Sequence, residues 1–154
     1  MKKYIILLTI AIVGLASCKK EKTVSASEQA VIDDTAIQTY LAANPDIDAT
    51  KDASGLYYQV ITEGSGANPT VSSTVTVNYT GKVLNGNVFA EPSNLTSPLS
   101  GLIKGWQIGI PHIKTGGRIL LIVPSGLAYG ATSPGAAIPA NAVLVFTIDL
   151  LSFN

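Results

Sequence analysis

The chain has 154 residues, with ten basic and ten acidic side chains, one histidine and one cysteine. That length allows one domain plus some tethering sequence, and the lone cysteine excludes an internal disulfide. Only 13% of residues are charged, about half the ~25% usual for a soluble domain, and without Lys2 and Lys3 eight basic side chains face ten acidic ones, so no basic stripe marks a nucleic-acid partner.

The N-terminus opens with Met1-Lys2-Lys3, followed by an apolar run from Tyr4 to Leu15. About a dozen apolar residues fall short of the ~20 that a membrane-spanning helix needs. Small residues follow at Ala16 and Ser17, as in a secretory signal peptide. The tetrad Leu15-Ala16-Ser17-Cys18 resembles the lipobox of bacterial lipoproteins. That resemblance implies a lipid on Cys18, which becomes the first residue of the mature chain. A free thiol would be a liability in an oxidising compartment, and acylation removes it. The expected location is outside the cytoplasm, lipid-anchored to a bacterial membrane, with the outer membrane preferred and the domain facing the periplasm or the cell surface. Each buried methylene would add ~0.8 kcal/mol to the anchor. Lys19-Lys20-Glu21-Lys22 then reads as a solvated tether.

Residues 19–30 are polar and small. From Ser27, a plausible N-cap, Val31, Ile32, Thr35, Ala36, Ile37, Tyr40 and Leu41 recur at helical spacing, and Asn44-Pro45 supplies a stop. Such a helix could dock on the domain, pair with a second copy or act as a spacer. From about Asp52 the pattern is that of strands: Leu56–Ile61, Val71–Thr80 with alternating polarity, and a hairpin turn at Asn85-Gly86-Asn87. Arg118–Val123 is a strand closed by Pro124, and Ala142–Phe153 is a long final strand. One further short helix is expected around Ile103–Ile110, stopped by Pro111. About five strands and this helix define an α+β domain, a bent antiparallel sheet (half-barrel) wrapped over one short helix, with an N-terminal helical extension.

Catalytic and metal motifs are sparse. His112 has no nucleophile motif or ligand set beside it and reads as a surface residue, so no metal or cofactor is expected. The glycines form neither a P-loop nor a dinucleotide fingerprint. Trp106 is the one tryptophan, at the start of the predicted short helix, where it would floor a cavity under a curved sheet. Tyr79 and Phe146 project from strands, Phe89 follows a turn, and Tyr129 lies in a loop before Gly130.

The ordered set Val75-x-Val77-x-Tyr79-x-Gly81, Gly86-x-x-Phe89 and Ile103-x-Gly105-Trp106-x-x-Gly109 resembles the FK506-binding-protein family of prolyl isomerases. The match continues through Gly116-Gly117-Arg118, Leu127-Ala128-Tyr129-Gly130, Ile138-Pro139 and Leu144-Val145-Phe146-x-Ile148-x-Leu150. It runs from about Leu56 to Phe153. The resemblance implies a division into residues 1–17 (lipoprotein signal peptide), 18–48 (lipidated tether and amphipathic helix) and 49–154 (isomerase domain). It implies peptidyl-prolyl cis-trans isomerase activity on X-Pro bonds of exported proteins, in a site between sheet and helix. Trp106 would be the pocket floor, with Tyr79, Phe89 and Phe146 as aromatic walls and Leu102, Ile103 and Ile138 as aliphatic ones. The Tyr129 hydroxyl would donate to the substrate carbonyl, with the Ile103 backbone N–H as a second donor. Partners would be proline-containing polypeptide segments and macrolides of the FK506 type.

Two departures stand out. The family has an aspartate after the phenylalanine, where this chain has Ala90, Glu91 and Pro92, and Glu91 is expected to point elsewhere. The Pro92–Ser100 segment lacks the usual aromatic, leaving Pro98 and Leu99. These departures keep an alternative open: a weakly active or inactive peptide-binding or chaperone module on a lipid anchor. The loop Ala131–Ala137 reads as a smooth apolar rim.

Overall fold

The structure is a computed structural model and describes residues 24–154. The expected signal peptide, Cys18 and the Lys19–Lys22 stretch lie outside the described residues.

Helix α1 spans Ala26–Ala43. Its N-cap is Ser25 rather than the expected Ser27. The Ser25 hydroxyl accepts from the Glu28 N–H, and the Glu28 carboxylate accepts from the Ser25 N–H at 2.9 Å, a reciprocal capping box. At the other end the Asn44 N–H returns to the Leu41 carbonyl and Pro45 ends the helix. The buried face is rotated from the expected one. Ile37 is fully buried, with Ala36, Tyr40 and Leu41 packed beside it, whereas Val31 is 67% and Ile32 52% exposed and Thr35 points outward. One turn before Ile37 the inward position is taken by Asp33, a polar residue in an apolar stripe.

Seven strands follow: β1 (Thr50–Lys51), β2 (Tyr57–Thr62), β3 (Thr74–Val83), β4 (Val88–Ala90), β5 (Leu95–Pro98), β6 (Arg118–Val123) and β7 (Leu144–Phe153). The expected count of about five omits β1 and β5, two and four residues long, which are too short to show a period. All pairings are antiparallel, in the order β1-β2-β6-β7-β3-β4, with β5 also on β3. Helix α2 spans Lys104–Gly109 and continues into a 3-10 turn at Ile110–His112 that contains Pro111.

The sheet carries a core on each face. Ile119, Leu121 and Val123 of β6 and Leu144, Phe146, Ile148 and Leu150 of β7 pack with Trp106 and Ile110. The alternate residues Ile122, Val143 and Val145 pack with Tyr57, Leu84 and Ile37 of α1. This explains why Arg118–Val123 reads as a continuous apolar run: both faces of β6 are covered. The helix–sheet contact on the α2 side is close because two glycines face β6. A Cβ on Gly105 would lie 2.5 Å from the Val123 side chain, and one on Gly109 2.5 Å from that of Leu121.

The outer edge of β3 is shared. β5 pairs with Thr74–Val77 and β4 with Gly81 and Lys82. Between them the chain bulges at Pro92–Asn94, held by the Tyr79 N–H to the Pro92 carbonyl at 3.3 Å and the Asn94 N–H to Asn78 Oδ1 at 2.7 Å. This brings Phe89 and Leu95 to the same end of α2.

Candidate functional site

Four rings from four elements meet over the N-terminal end of α2: Tyr79 of β3, Phe89 of β4, Trp106 of α2 and Phe146 of β7. Tyr79 and Trp106 have centroids 4.8 Å apart at 86°, and Trp106 and Phe146 5.3 Å apart at 90°. Phe89 meets Phe146 at 5.8 Å and 83°, and Tyr79 meets Phe146 at 6.0 Å and 63°. These edge-to-face contacts satisfy the ring quadrupoles and fix the ring angles. Gly81 makes the arrangement possible, because a Cβ there would sit 2.8 Å from Phe89 and 2.9 Å from Phe146.

The rings enclose a cavity of about 200 Å³ that is also lined by Leu95, Leu102, Ile103 and Tyr129. Trp106 is only 4% exposed, so it forms a floor set into the core. Its indole N–H finds no protein acceptor among the described residues. A second, open lobe of about 260 Å³ shares Tyr79, Phe89 and Tyr129 and is also lined by Ala90, Pro134, Ala137 and Ile138. Tyr129 stands between the lobes, 41% exposed. Burial pushes the Tyr79 phenol above its ordinary pKa, and neighbouring Tyr129 adds to the effect, so Tyr79 is neutral at physiological pH. No charged side chain lines either lobe.

All eight residues singled out from the sequence therefore border this double cavity: Tyr79, Phe89, Leu102, Ile103, Trp106, Tyr129 and Phe146 in the first lobe and Ile138 in the second. Ile103 is the N-cap of α2. Its carbonyl accepts from the Trp106 N–H at 3.0 Å, and its own N–H makes no hydrogen bond among the described residues. Glu91 lies off the cavity, in a polar groove with Lys82 and Arg118. His112 is exposed and stacks on Tyr58, with centroids 4.2 Å apart.

Leu99 is fully buried in the core and Pro98 pairs with Thr74, so neither lines the cavity; Leu95 does. Also missed was Gln107, whose side-chain amide donates to the Leu102 carbonyl at 2.7 Å and the Ser100 carbonyl at 3.2 Å. It pins the wall formed by Leu102. A polar residue next to the one tryptophan was the available signal.

The loop after Tyr129 is held by Ser133. Its hydroxyl lies 2.7 Å from the Gly135 carbonyl and 2.6 Å from the Ile138 carbonyl, which keeps Ile138 at 8% exposure.

A cavity walled by rings and aliphatic groups, lined by no charged side chain and carrying two tyrosine hydroxyls, can strip water from an uncharged, compact ring. Residues 66–151 match the FKBP-type peptidyl-prolyl cis-trans isomerase family, and the chain belongs to it. Among relatives, it is 45% identical over 104 residues to the isomerase FkpA of Escherichia coli strain K12, covering 64% of this chain and 38% of that one. It is 38% identical over 122 residues to the isomerase Mip of Coxiella burnetii, covering 75% and 52%. The chain thus spans about half or less of the length of these curated relatives. The crystal structure of FkpA from Escherichia coli superposes with a TM-score of 0.71 at 34% identity, covering 83% of this chain and 62% of that one. An isomerase from Pseudomonas syringae gives 0.70 at 27% identity, covering 84% and 97%.

Proposed function

We propose that this chain catalyses cis/trans rotation of X-Pro peptide bonds in exported proteins, with the proline ring seated on Trp106. The observation that carries the reading is the uncharged cavity of about 200 Å³ floored by that indole and bordered by Tyr129.

The chemistry follows from the amide. Resonance imposes a rotational barrier of ~18–20 kcal/mol. The planar form has more charge separation than the twisted one, and water stabilises it. In the cavity, Tyr79, Phe89 and Phe146 replace that water with ring faces and edges, which favours the twisted transition state. Leu102, Ile103 and Ile138 close the aliphatic sides. The Tyr129 hydroxyl and the Ile103 N–H donate to the flanking substrate carbonyls and hold them while the bond turns. No bond to the enzyme forms, so the residues supply position and dryness alone. The family resemblance implies a rim carboxylate where this chain has Ala90, so the second lobe holds no charged side chain and its polar groups include the phenols of Tyr79 and Tyr129. The same uncharged cavity would seat part of an FK506-type macrolide, as the family resemblance implies.

We also propose that residues 1–17 are removed, that Cys18 is acylated, that residues 18–48 tether and brace residues 49–154, and that the anchor holds the protein at the outer membrane, facing the periplasm or the cell surface. Support comes from the Leu15–Cys18 tetrad and the apolar run before it. Mass spectrometry of the protein from its own envelope fraction checks this: a mature chain starting at an acylated Cys18 is expected, and an unmodified N-terminus elsewhere contradicts it.

An X-Pro peptide assay, by exchange NMR or protease coupling, tests the isomerase reading. Uncatalysed rotation takes about tens to hundreds of seconds, so a rate well above that background is expected. A rate at background would leave a peptide-binding module without turnover.

A further inference from the structure

The cavity does not account for one buried charged residue. Asp33, on α1, is 2% exposed and lines neither lobe of the aromatic cavity. Its carboxylate is fully engaged. One oxygen accepts from the Ser125 N–H at 2.8 Å and the Ser125 hydroxyl at 2.6 Å, and the other accepts from the Gln29 side-chain amide at 2.7 Å. Ser125 is itself 1% exposed. A buried carboxylate is tolerated only when hydrogen-bonded in this way, so a buried, fully satisfied one commits both elements to a single relative placement.

Ser125 opens the 3-10 turn Ser125–Leu127 that leads directly into Tyr129. Its carbonyl accepts from the Ala128 N–H at 3.0 Å and from the Gly130 N–H at 2.8 Å. The backbone on both sides of Tyr129 is therefore tied to Ser125, and Ser125 is tied to Asp33. Beside this contact lies an open groove of about 860 Å³, bordered by Ala26 and Ala30 on one side and by Gly126 and Leu127 on the other. The Asp33–Ser125 hydrogen bonds lie where α1 approaches this turn closely, and they fix the turn to the helix.

We infer that Asp33 is a positioning residue for the isomerase site: through Ser125 it fixes the loop that carries Tyr129, so α1 belongs to the working enzyme and is more than a spacer to the membrane. This rests on the isomerase reading above.

The test compares Asp33→Ala and Asp33→Asn, each with Tyr129 intact and in a Tyr129→Phe background, in the full mature chain. Loop order is followed in parallel through the amide resonances of residues 128–130. Asparagine keeps an acceptor for both Ser125 donors; alanine does not. Asp33→Ala is expected to lower kcat/KM about 3-fold, chiefly in kcat, and to shift or broaden the 128–130 amides, with Asp33→Asn restoring both. In the Tyr129→Phe background Asp33→Ala should cost nothing further, because the group it positions is gone. An equal loss in both backgrounds, or a wild-type rate and unshifted loop amides in a folded Asp33→Ala protein, overturns the inference. If Asp33→Ala does not fold, Ser125→Ala, which removes only one donor, takes its place under the same criteria. An inactive wild type with loop amides that still respond to Asp33→Ala would sink the isomerase reading while leaving the clamp standing.

Discussion

Tyr129 and Trp106 carry different parts of the account, and their substitutions should separate. Tyr129 is exposed at the rim and its hydroxyl has no structural burden, so Tyr129→Phe should leave thermal unfolding unchanged and lower kcat/KM about 3–10-fold, the worth of one ordinary hydrogen bond. An unchanged rate in a peptide assay would mean that the hydroxyl does not touch substrate. Trp106 is part of the core, so Trp106→Ala should destabilise by about 3–5 kcal/mol as well as abolish activity, visible as a lowered denaturant midpoint. Gly81→Ala adds a methyl group 2.8 Å from Phe89 and should cost about 1–3 kcal/mol while raising KM more than it lowers kcat. At this scale the site was readable from the ordered motif shared with the family, in which Gly81 beside Tyr79 and Gly105 beside Trp106 are glycines that a close ring or helix contact explains. Leu95 and Gln107 were not readable in this way. The first depends on a four-residue edge strand, and the second acts through its side-chain amide on a carbonyl five residues back.

Among the elements, α1 shows where periodicity misleads. Val31, Ile32 and Thr35 extend an apolar pattern that the fold does not use, whereas the true inward row contains Asp33. A charge at a buried position breaks the stripe, so hydrophobic spacing alone selected a face rotated from the real one. Ser25-Ala26-Ser27-Glu28 did contain the capping box, with serine three residues before glutamate, and would have placed the N-cap correctly. The double-sided burial of β6 was legible as unbroken apolar sequence, but only the presence of α1 explains the second face. Ile37→Ala should therefore cost about 2–4 kcal/mol by chemical denaturation, since Ile37 is fully buried against Ile122 and Val145. A cost near zero would mean that α1 does not stay docked in solution.

For the molecule as a whole, pH divides stability from activity. Only tyrosines among titratable groups line the cavity, so the catalysed rate should be flat between about pH 6 and 8. Stability should not be flat in acid. The Lys51 ammonium, then the Tyr57 hydroxyl, hold the Asp34 carboxylate below its ordinary pKa, and the Arg118 guanidinium does the same for Asp149. A folded-state value below the unfolded one means the stabilisation is complete above the ordinary carboxylate range and is lost as pH falls through the lowered value. Melting temperature should hold steady from neutral pH down to about 5 and then fall. Because Asp34 ties α1 to β1 and β2, loosening of α1 belongs to that acid transition.

The most direct check on the central claim is the exchange rate of an X-Pro peptide bond, measured by NMR with catalytic amounts of the mature chain. The account predicts cis and trans signals that exchange far faster than in peptide alone, with Trp106 resonances moving as substrate binds. Exchange at the uncatalysed rate, with an indole that does not respond to peptide, would contradict it.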